Sequence, residues 1–252
     1  MEPEGRVLLI AAHPDDEVIG AGIRMTCWDP RRLTIVHLTA GSPRHPRHAQ
    51  AAGFADPMEY AEARRLELAE ALELAGIPAQ NRICLDFVDQ ESYLHLPELV
   101  EKLAATVNEL RPDVVYTHPY EGGHPDHDAA AFAVAHTPGI NNRREFTSYH
   151  AGTNGLVTGE FLGGGQVQTH VLNSAERDLK RRMFDCFRSQ QRVLRDFTIV
   201  HERFRDAPRY DFTLPPHSGR LHYENLGWNI SGESWRTRAG EALKLLQVEN
   251  VL

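Results

Sequence analysis

The stretch Leu8-Leu9-Ile10-Ala11-Ala12-His13-Pro14-Asp15-Asp16-Glu17 runs from an unbroken apolar segment straight into a histidine and three acids. Residues 7–12 are short, apolar and begin on a β-branched side chain, which is how a buried strand reads. From Asp16 onward, Glu-Val-Ile-Gly-Ala-Gly-Ile-Arg-Met has helical character in spite of its two glycines. His13 to Asp16 therefore occupy a strand-to-helix turn. Ligands in open α/β sheets bind outside the carboxyl ends of strands, and a helix N-terminus there favours anionic groups. Capping of the helix accounts for one aspartate. A preceding histidine, a second aspartate and a glutamate call for a chemical reason.

Working outward, 33–39, 83–87 and 113–118 read as further strands, and 40–48 as a loop of Gly, Pro and polar residues. Residues 59–75 form a helix stopped by Gly76, 97–110 an amphipathic helix with Pro97 in its first turn, and 128–136 an alanine-rich helix. Strands alternating with helices at this spacing specify an α/β fold: a Rossmann-like, mostly parallel sheet with helices on both faces and right-handed crossovers. Beyond residue 140 the pattern loosens. Strands are expected over 146–150 and 169–172, a turn at 163–165, and a helix over 174–190 capped by Ser174. Residues 209–252 read as an irregular extension packed on a single domain spanning 1–252.

The chain has 252 residues and a formal net charge of −8, so the basic face that nucleic-acid binding requires is missing. No apolar run approaches a membrane span, and Met1-Glu-Pro-Glu-Gly-Arg6 does not read as a signal peptide. Cys27, Cys84 and Cys186 are too far apart for a disulfide framework or a cysteine zinc site, and Cys84 is expected to be a small buried hydrophobe. A reducing cytoplasm is the simplest setting. Association into a homo-oligomer is left open.

Residues 118–127 end the fourth strand in a second polar cluster, His-Pro-Tyr-Glu-Gly-Gly-His-Pro-Asp-His. If the first and fourth strands are neighbours at the topological switch point, His-Pro-Asp-Asp and His-Pro-Asp-His face one another across one crevice. His13, Asp16 and His127 then supply two imidazoles and a carboxylate, leaving positions open for water and substrate as catalytic zinc requires. Asp15 is left over, well placed to act as a general base. The His-x-x-His spacing alone is weak: with 14 histidines in 252 residues, about one such pair arises by chance. His45-Pro-Arg-His48 is read as that chance pair. What distinguishes His124 and His127 is their place after a buried strand and the match to His13-Pro-Asp-Asp.

Residues 12–17 together with His124-Pro-Asp-His127 resemble the PIG-L/LmbE-like family of zinc-dependent de-N-acetylases. Arg64-x-x-Glu67-Leu68, Lys180 with Ser189-Gln190, and His201-Glu-Arg-Phe204 are similar to lesser family motifs, so the resemblance spans roughly 6–205. It implies a zinc ion, or another divalent metal, on His13, Asp16 and His127, with Asp15 as the base toward the attacking water. It implies His124 as a protonated partner of the oxyanion or leaving amine, Asp126 as the residue that orients His124, and Arg64 as a contact to substrate or released acetate. Some relatives carry a tyrosine near the oxyanion where this chain has Gly122; Tyr120 is the nearest tyrosine in sequence and is taken as a substrate-binding candidate. The implied substrate is an N-acylated amino sugar or its conjugate. Amide hydrolysis of another small conjugate, iron–oxygen chemistry on the same ligand set, and a sugar-binding protein without turnover are the competing readings. Trp228 and Tyr223 in the tail are expected to wall the substrate site, or failing that to form an oligomer contact.

Overall fold

The computed structural model describes residues 5–153 and 155–249. The chain runs β1 (Val7–Ala11), α1 (Asp16–Met25), β2 (Leu33–Pro43), α2 (Arg47–Ala51), α3 (Pro57–Leu74), β3 (Arg82–Asp89), α4 (Leu96–Leu110), β4 (Val114–Thr117) and α5 (Pro125–His136). It continues through β5 (Arg143–Phe146), β6 (Tyr149–Gly152), β7 (Gly155–Thr158), β8 (Gln168–Val171), α6 (Ser174–Cys186), α7 (Gln191–Leu194), β9 (His201–Asp206) and α8 (Gly232–Glu249). Seven strands form one sheet in the order β3-β2-β1-β4-β5-β9-β8. β3 through β5 are parallel, while β9 and β8 close the edge antiparallel. β1 and β4 are hydrogen-bonded neighbours from which the order runs outward in opposite directions, so the switch point lies between the two polar clusters.

Alternation along β1 divides the core. Leu8 and Ile10 face α4, α5 and α8; Val7, Leu9 and Ala11 face α1, α3 and α6. A strand buried on both faces reads as an uninterrupted apolar run, which is why the opening stretch carries no polar alternation. β3 is the sheet edge, and Cys84 on it is exposed, against the expectation of a buried thiol.

Three local expectations change. β2 continues to Pro43 and is followed by α2, where a loop was expected. The strand expected over 146–150 is two: β5 ends at Phe146 and β6 starts at Tyr149, forming a separate hairpin with β7. α6 ends at Cys186, and its cap is Asn173, whose side chain accepts from the Glu176 N–H while Glu176 accepts from the Asn173 N–H. The extension is irregular up to α8, which seats Trp235, completely buried, against α5; its indole N–H donates to the Pro125 carbonyl at 3.0 Å. Tyr223 is a core residue beside Leu221 and Ile230, not a wall of the cleft.

The helix that carries Asp16 is broken. Ala21 leaves helical geometry at φ −143°, and the amide N–H groups of Ile23 and Arg24 turn to the Glu202 carboxylate on β9, at 2.8 Å each. The Ile19 carbonyl accepts from Lys180 Nζ on α6 at 2.8 Å, and Lys180 pairs with Glu202 at 2.7 Å. Both side chains are fully buried. This pair supplies the hydrogen bonds that the break removes from the ladder, as buried backbone requires.

Candidate functional site

Asp15 is the residue at the N-cap of α1, but its carboxylate makes no cap bond. It accepts from Arg64 Nη2 on α3 at 2.8 Å, and Arg64 is held in turn by the carbonyls of Gly41 and Pro14. Asp16 turns inward: Oδ2 accepts from the His13 N–H at 2.8 Å, lies 3.1 Å from His13 Nδ1, and Oδ1 lies 3.1 Å from His127 Nε2. The two strand ends thus bring His13, Asp16 and His127 together as the sequence implied. Glu17, by contrast, lies in the core, 3.1 Å from His37 Nε2.

The arrangement fits a divalent cation. Among the described residues neither ring nitrogen of buried His127 has a hydrogen-bond partner, although Nε2 is at contact distance from Asp16. Such orphaned nitrogens are costly unless a ligand fills them. Among the described residues, four buried carboxylates, Asp15, Asp16, Asp89 and Asp126, gather at the site, and Arg64 pairs with Asp15. His13 Nε2 faces Asp126 and Asp89 at 3.3 Å each, the carboxylate support that a metal-ligating imidazole takes on its far side. Against the opposing effect of burial, Asp89 and Asp16 hold the His13 ring well above its ordinary value, while His127, His118 and His13 hold Asp16 well below the carboxylate range. The site is built for extra positive charge, which protons supply when a cation does not.

Several roles shift. The Asp126 carboxylate accepts from Ser92 Oγ and the N–H groups of Gln90 and Ser92 and lies 3.8 Å from His124 Nδ1, so it orients His13 more closely than His124. His124 Nδ1 accepts the Asp126 N–H at 3.2 Å. Burial, and next His13, push the His124 ring well below its ordinary value, so it rests neutral rather than as the expected imidazolium. Burial raises Asp15 to about 7 against the pull of Arg64, so its ionisation depends on that clamp. Tyr120 does not reach the site: its hydroxyl donates to the Leu214 carbonyl at 2.9 Å and its ring stacks on Trp235. The side chain turns into the core layer under α5 and α8.

Three site residues escaped the sequence reading. Asp89 ends β3 and His118 follows β4, so the rule that sites lie at strand ends could have found both. His118 stacks on His127 at 3.9 Å, but both its nitrogens are engaged, by the Ala12 N–H and by Ser148 Oγ. Burial lowers it to about 3, fixing a neutral buttress. Tyr149 had no sequence signal. Its ring meets His127 edge-on at 5.1 Å, and burial followed by the site acids raises its phenol, leaving a neutral hydroxyl. Asp89 and Tyr149, with His13, Asp15, Asp16 and His124, line a cavity of about 190 Å³ bordered by Tyr60, Gln190, Phe197 and Trp228; His118 and His127 lie behind this lining. Across Trp228 and Asp89 it adjoins a groove of about 460 Å³ bearing Tyr93, Ile230 and Arg44. His48 lines the inner cavity, but with His45 it accepts from Arg47 and does not form a chelating pair.

Asp128 pins the turn before His124. Oδ1 accepts the N–H groups of Glu121 and Gly122 at 3.2 and 3.0 Å; Oδ2 has no partner, and burial pushes the carboxyl up to about 8. A carboxyl raised on folding contributes stability that is present below its unfolded value and lost as pH climbs from about 4 to about 8. Asp128→Asn keeps the Oδ1 acceptor and never ionises. Its thermal midpoint should match the wild type near pH 4 and exceed it increasingly up to about pH 8.5. Parallel curves for the two proteins would remove this assignment.

The family model for PIG-L, GlcNAc-PI de-N-acetylase, matches residues 8–137. A 1D-myo-inositol 2-acetamido-2-deoxy-alpha-D-glucopyranoside deacetylase from Nocardioides sp. is 30% identical over 150 residues, 48% of this chain and 50% of that protein. The chain thus spans about half the length of that relative. A probable N-acetyl-alpha-D-glucosaminyl L-malate deacetylase 2 from Bacillus cereus is 25% identical over 81% of this chain and 92% of its own. In fold, the chain is similar to the A40926 pseudoaglycone deacetylase Dbv21, with a TM-score of 0.61 and 19% identity over 83% of this chain and 99% of that one. With both polar clusters inside the matched segment and in contact across the switch point, the chain belongs to the PIG-L, GlcNAc-PI de-N-acetylase family.

Proposed function

We propose that this chain is a divalent-metal-dependent amide hydrolase that removes an N-acetyl group from an amino-sugar conjugate. The observation that carries the reading is His127, with two orphaned nitrogens beside Asp16 and His13, next to an Asp15 that is held by Arg64 and makes no helix-cap bond. Family membership and the names of the relatives support the amino-sugar class. His13, Asp16 and His127 would hold the metal, zinc in the first instance; when bound it supplies Lewis acidity to the attacking water and the acyl carbonyl.

The chain's own residues do the rest. Asp15, turned toward the cavity by Arg64, accepts a proton from the water as its oxygen bonds to the acyl carbon. His124, neutral at rest, takes up the proton that Asp15 removed from the water and passes it to the amide nitrogen as the C–N bond breaks, which returns Asp15 to a carboxylate; the acid product loses its remaining proton to solvent. Acetate and the free amine leave. The enclosing Phe197, Val193 and Ile19 limit water in the cavity.

The inner cavity has room for the acetamido end of a sugar, and the adjoining groove for what the sugar is attached to. Trp228 stands between them, its ring edge-on to His124 at 5.0 Å. Trp228→Ala should raise KM for a glycosylated substrate by about tenfold, with metal content and kcat little changed. An unchanged KM would move substrate selection to other walls.

The deciding experiment is metal analysis of the purified protein followed by assay of amine release from N-acetylglucosamine and its conjugates. A metal-loaded protein that releases no amine from any of them would defeat the reading. No helix among the described residues is long and apolar enough to cross a membrane.

A further inference from the structure

Hydrolysis of an amide needs a hydrogen-bond donor where the carbonyl oxygen becomes negative, and preorganised donors there are worth more than any other single group. The cavity is poor in them. Its carboxylates only accept, and Arg64 is committed to Asp15 and two carbonyls. Gln190 donates to the Tyr60 hydroxyl at 2.5 Å, and the Tyr60 ring lies under the Arg64 guanidinium, away from His127. Trp228 packs on His124 at the mouth.

We propose that Tyr149 is a catalytic residue of this enzyme, its hydroxyl donating a hydrogen bond to the carbonyl oxygen of the scissile amide as that oxygen takes on negative charge. This rests on the amide-hydrolase reading above. Tyr149 lines the cavity, and its ring lies against His127, at the junction of metal ligand and substrate space. Its hydroxyl bonds to nothing else among the described residues, so it is available.

The loop between the two site histidines is shaped to let this side chain in. Gly123 lies so close under β6 that a Cβ there would overlap the Tyr149 carbonyl oxygen and press on the ring. Gly122 has φ +68°, and a Cβ there would meet Leu221 at 2.6 Å. A side chain from this loop, at the position where some relatives carry a tyrosine, is therefore excluded. Leu221 occupies the room that Gly122 leaves, and the backbone and ring of Tyr149, from the β6–β7 hairpin, occupy the room that Gly123 leaves.

During the step, attack forms the water-oxygen–carbon bond and moves the carbonyl π pair onto oxygen, where Tyr149 donates without losing its proton. Collapse returns the pair, breaks the C–N bond, and the amine leaves with the proton carried by His124.

Tyr149→Phe tests the assignment in the metal-loaded protein. Three quantities separate the outcomes: kcat and KM on N-acetylglucosamine derivatives, calorimetric affinity for a tetrahedral methylphosphonamidate of glucosamine and for glucosamine itself, and the unfolding midpoint. We expect kcat to fall on the order of 10²–10³-fold with KM little altered. Affinity for the tetrahedral analogue should weaken while glucosamine binding, bound metal and the unfolding midpoint stay the same. Full kcat and full analogue affinity in an active wild-type background would overturn the assignment and leave the hydrolase reading intact. A drop in unfolding midpoint with no selective loss of analogue binding would overturn it in favour of a packing role. A wild-type protein that neither releases amine nor binds the analogue would overturn both.

Discussion

His127→Ala will purify without stoichiometric metal and without amidase activity, whereas Asp15→Asn will keep its metal and lose about 10²–10⁴-fold in kcat. The contrast follows from what each side chain bonds. Among the described residues His127 has no hydrogen bond to lose; it stacks on His118, meets Tyr149 edge-on and faces Asp16, so its removal should chiefly empty a coordination position that three protein ligands cannot spare. Asp15 lies one residue from Asp16, yet it gives its carboxylate to Arg64 and none of it to the helix N-terminus. The amide in Asp15→Asn still accepts from Arg64 and fills the same volume, but it takes no proton from water. Metal analysis beside steady-state kinetics reads both. A fully active Asp15→Asn enzyme would remove the base, and a His127→Ala protein with full metal would displace the ligand set.

Glu202→Gln should cost about 3–5 kcal/mol, the penalty for stranding one partner of a buried ion pair. The Glu202 carboxylate accepts from three donors: the Ile23 and Arg24 N–H groups and Lys180 Nζ. An amide offers one oxygen, points its NH₂ at one of those donors, and leaves Lys180 charged in a fully buried place. At about 2–4 °C per kcal/mol for a chain of this size, the thermal midpoint should fall by about 6–20 °C. Lys180→Met should be similar, since it abandons the Ile19 carbonyl and an uncompensated carboxylate. The double variant should fall short of the sum, because the two residues share one interaction. Differential scanning calorimetry at fixed metal loading checks this; losses under about 1 kcal/mol would mean that α1 mends its break another way.

The sheet from β1 to β4 and the meeting of the two polar strand ends were legible because parallel, doubly covered strands write themselves as apolar runs, and a polar cluster at their ends has no packing purpose. The lesser family matches proved legible for a different reason than chemistry. Glu67 accepts from the Ser189 N–H and Oγ, and Gln190 donates to the Tyr60 hydroxyl, so these positions tie α3 to the segment after α6. Lys180 and Glu202 mend α1. What stayed hidden depends on contacts across long sequence separations. Tyr149 lies in a hairpin whose strands are four residues each, too short to show a period. Tyr120 sits three residues past β4, and only the arrival of Phe212 and Trp235 shows which way it turns.

The break in α1 also bears on how the molecule is made. Ile23 and the carboxylate that completes its hydrogen bonding are 179 residues apart in the chain. At about 5–20 residues per second, a ribosome needs about 10–35 s to bring the second after the first. During that interval the strand, the turn and both aspartates are outside while their helix lacks its brace. Contacts of such span also slow folding once synthesis ends, because a long loop must close before they return anything. The matched segment 8–137 holds every proposed metal donor, while Glu202 and Lys180, which complete the hydrogen bonding of α1, lie outside it. The helix that carries Asp15 and Asp16 to the centre thus has its full set of partners only once β9 is in place.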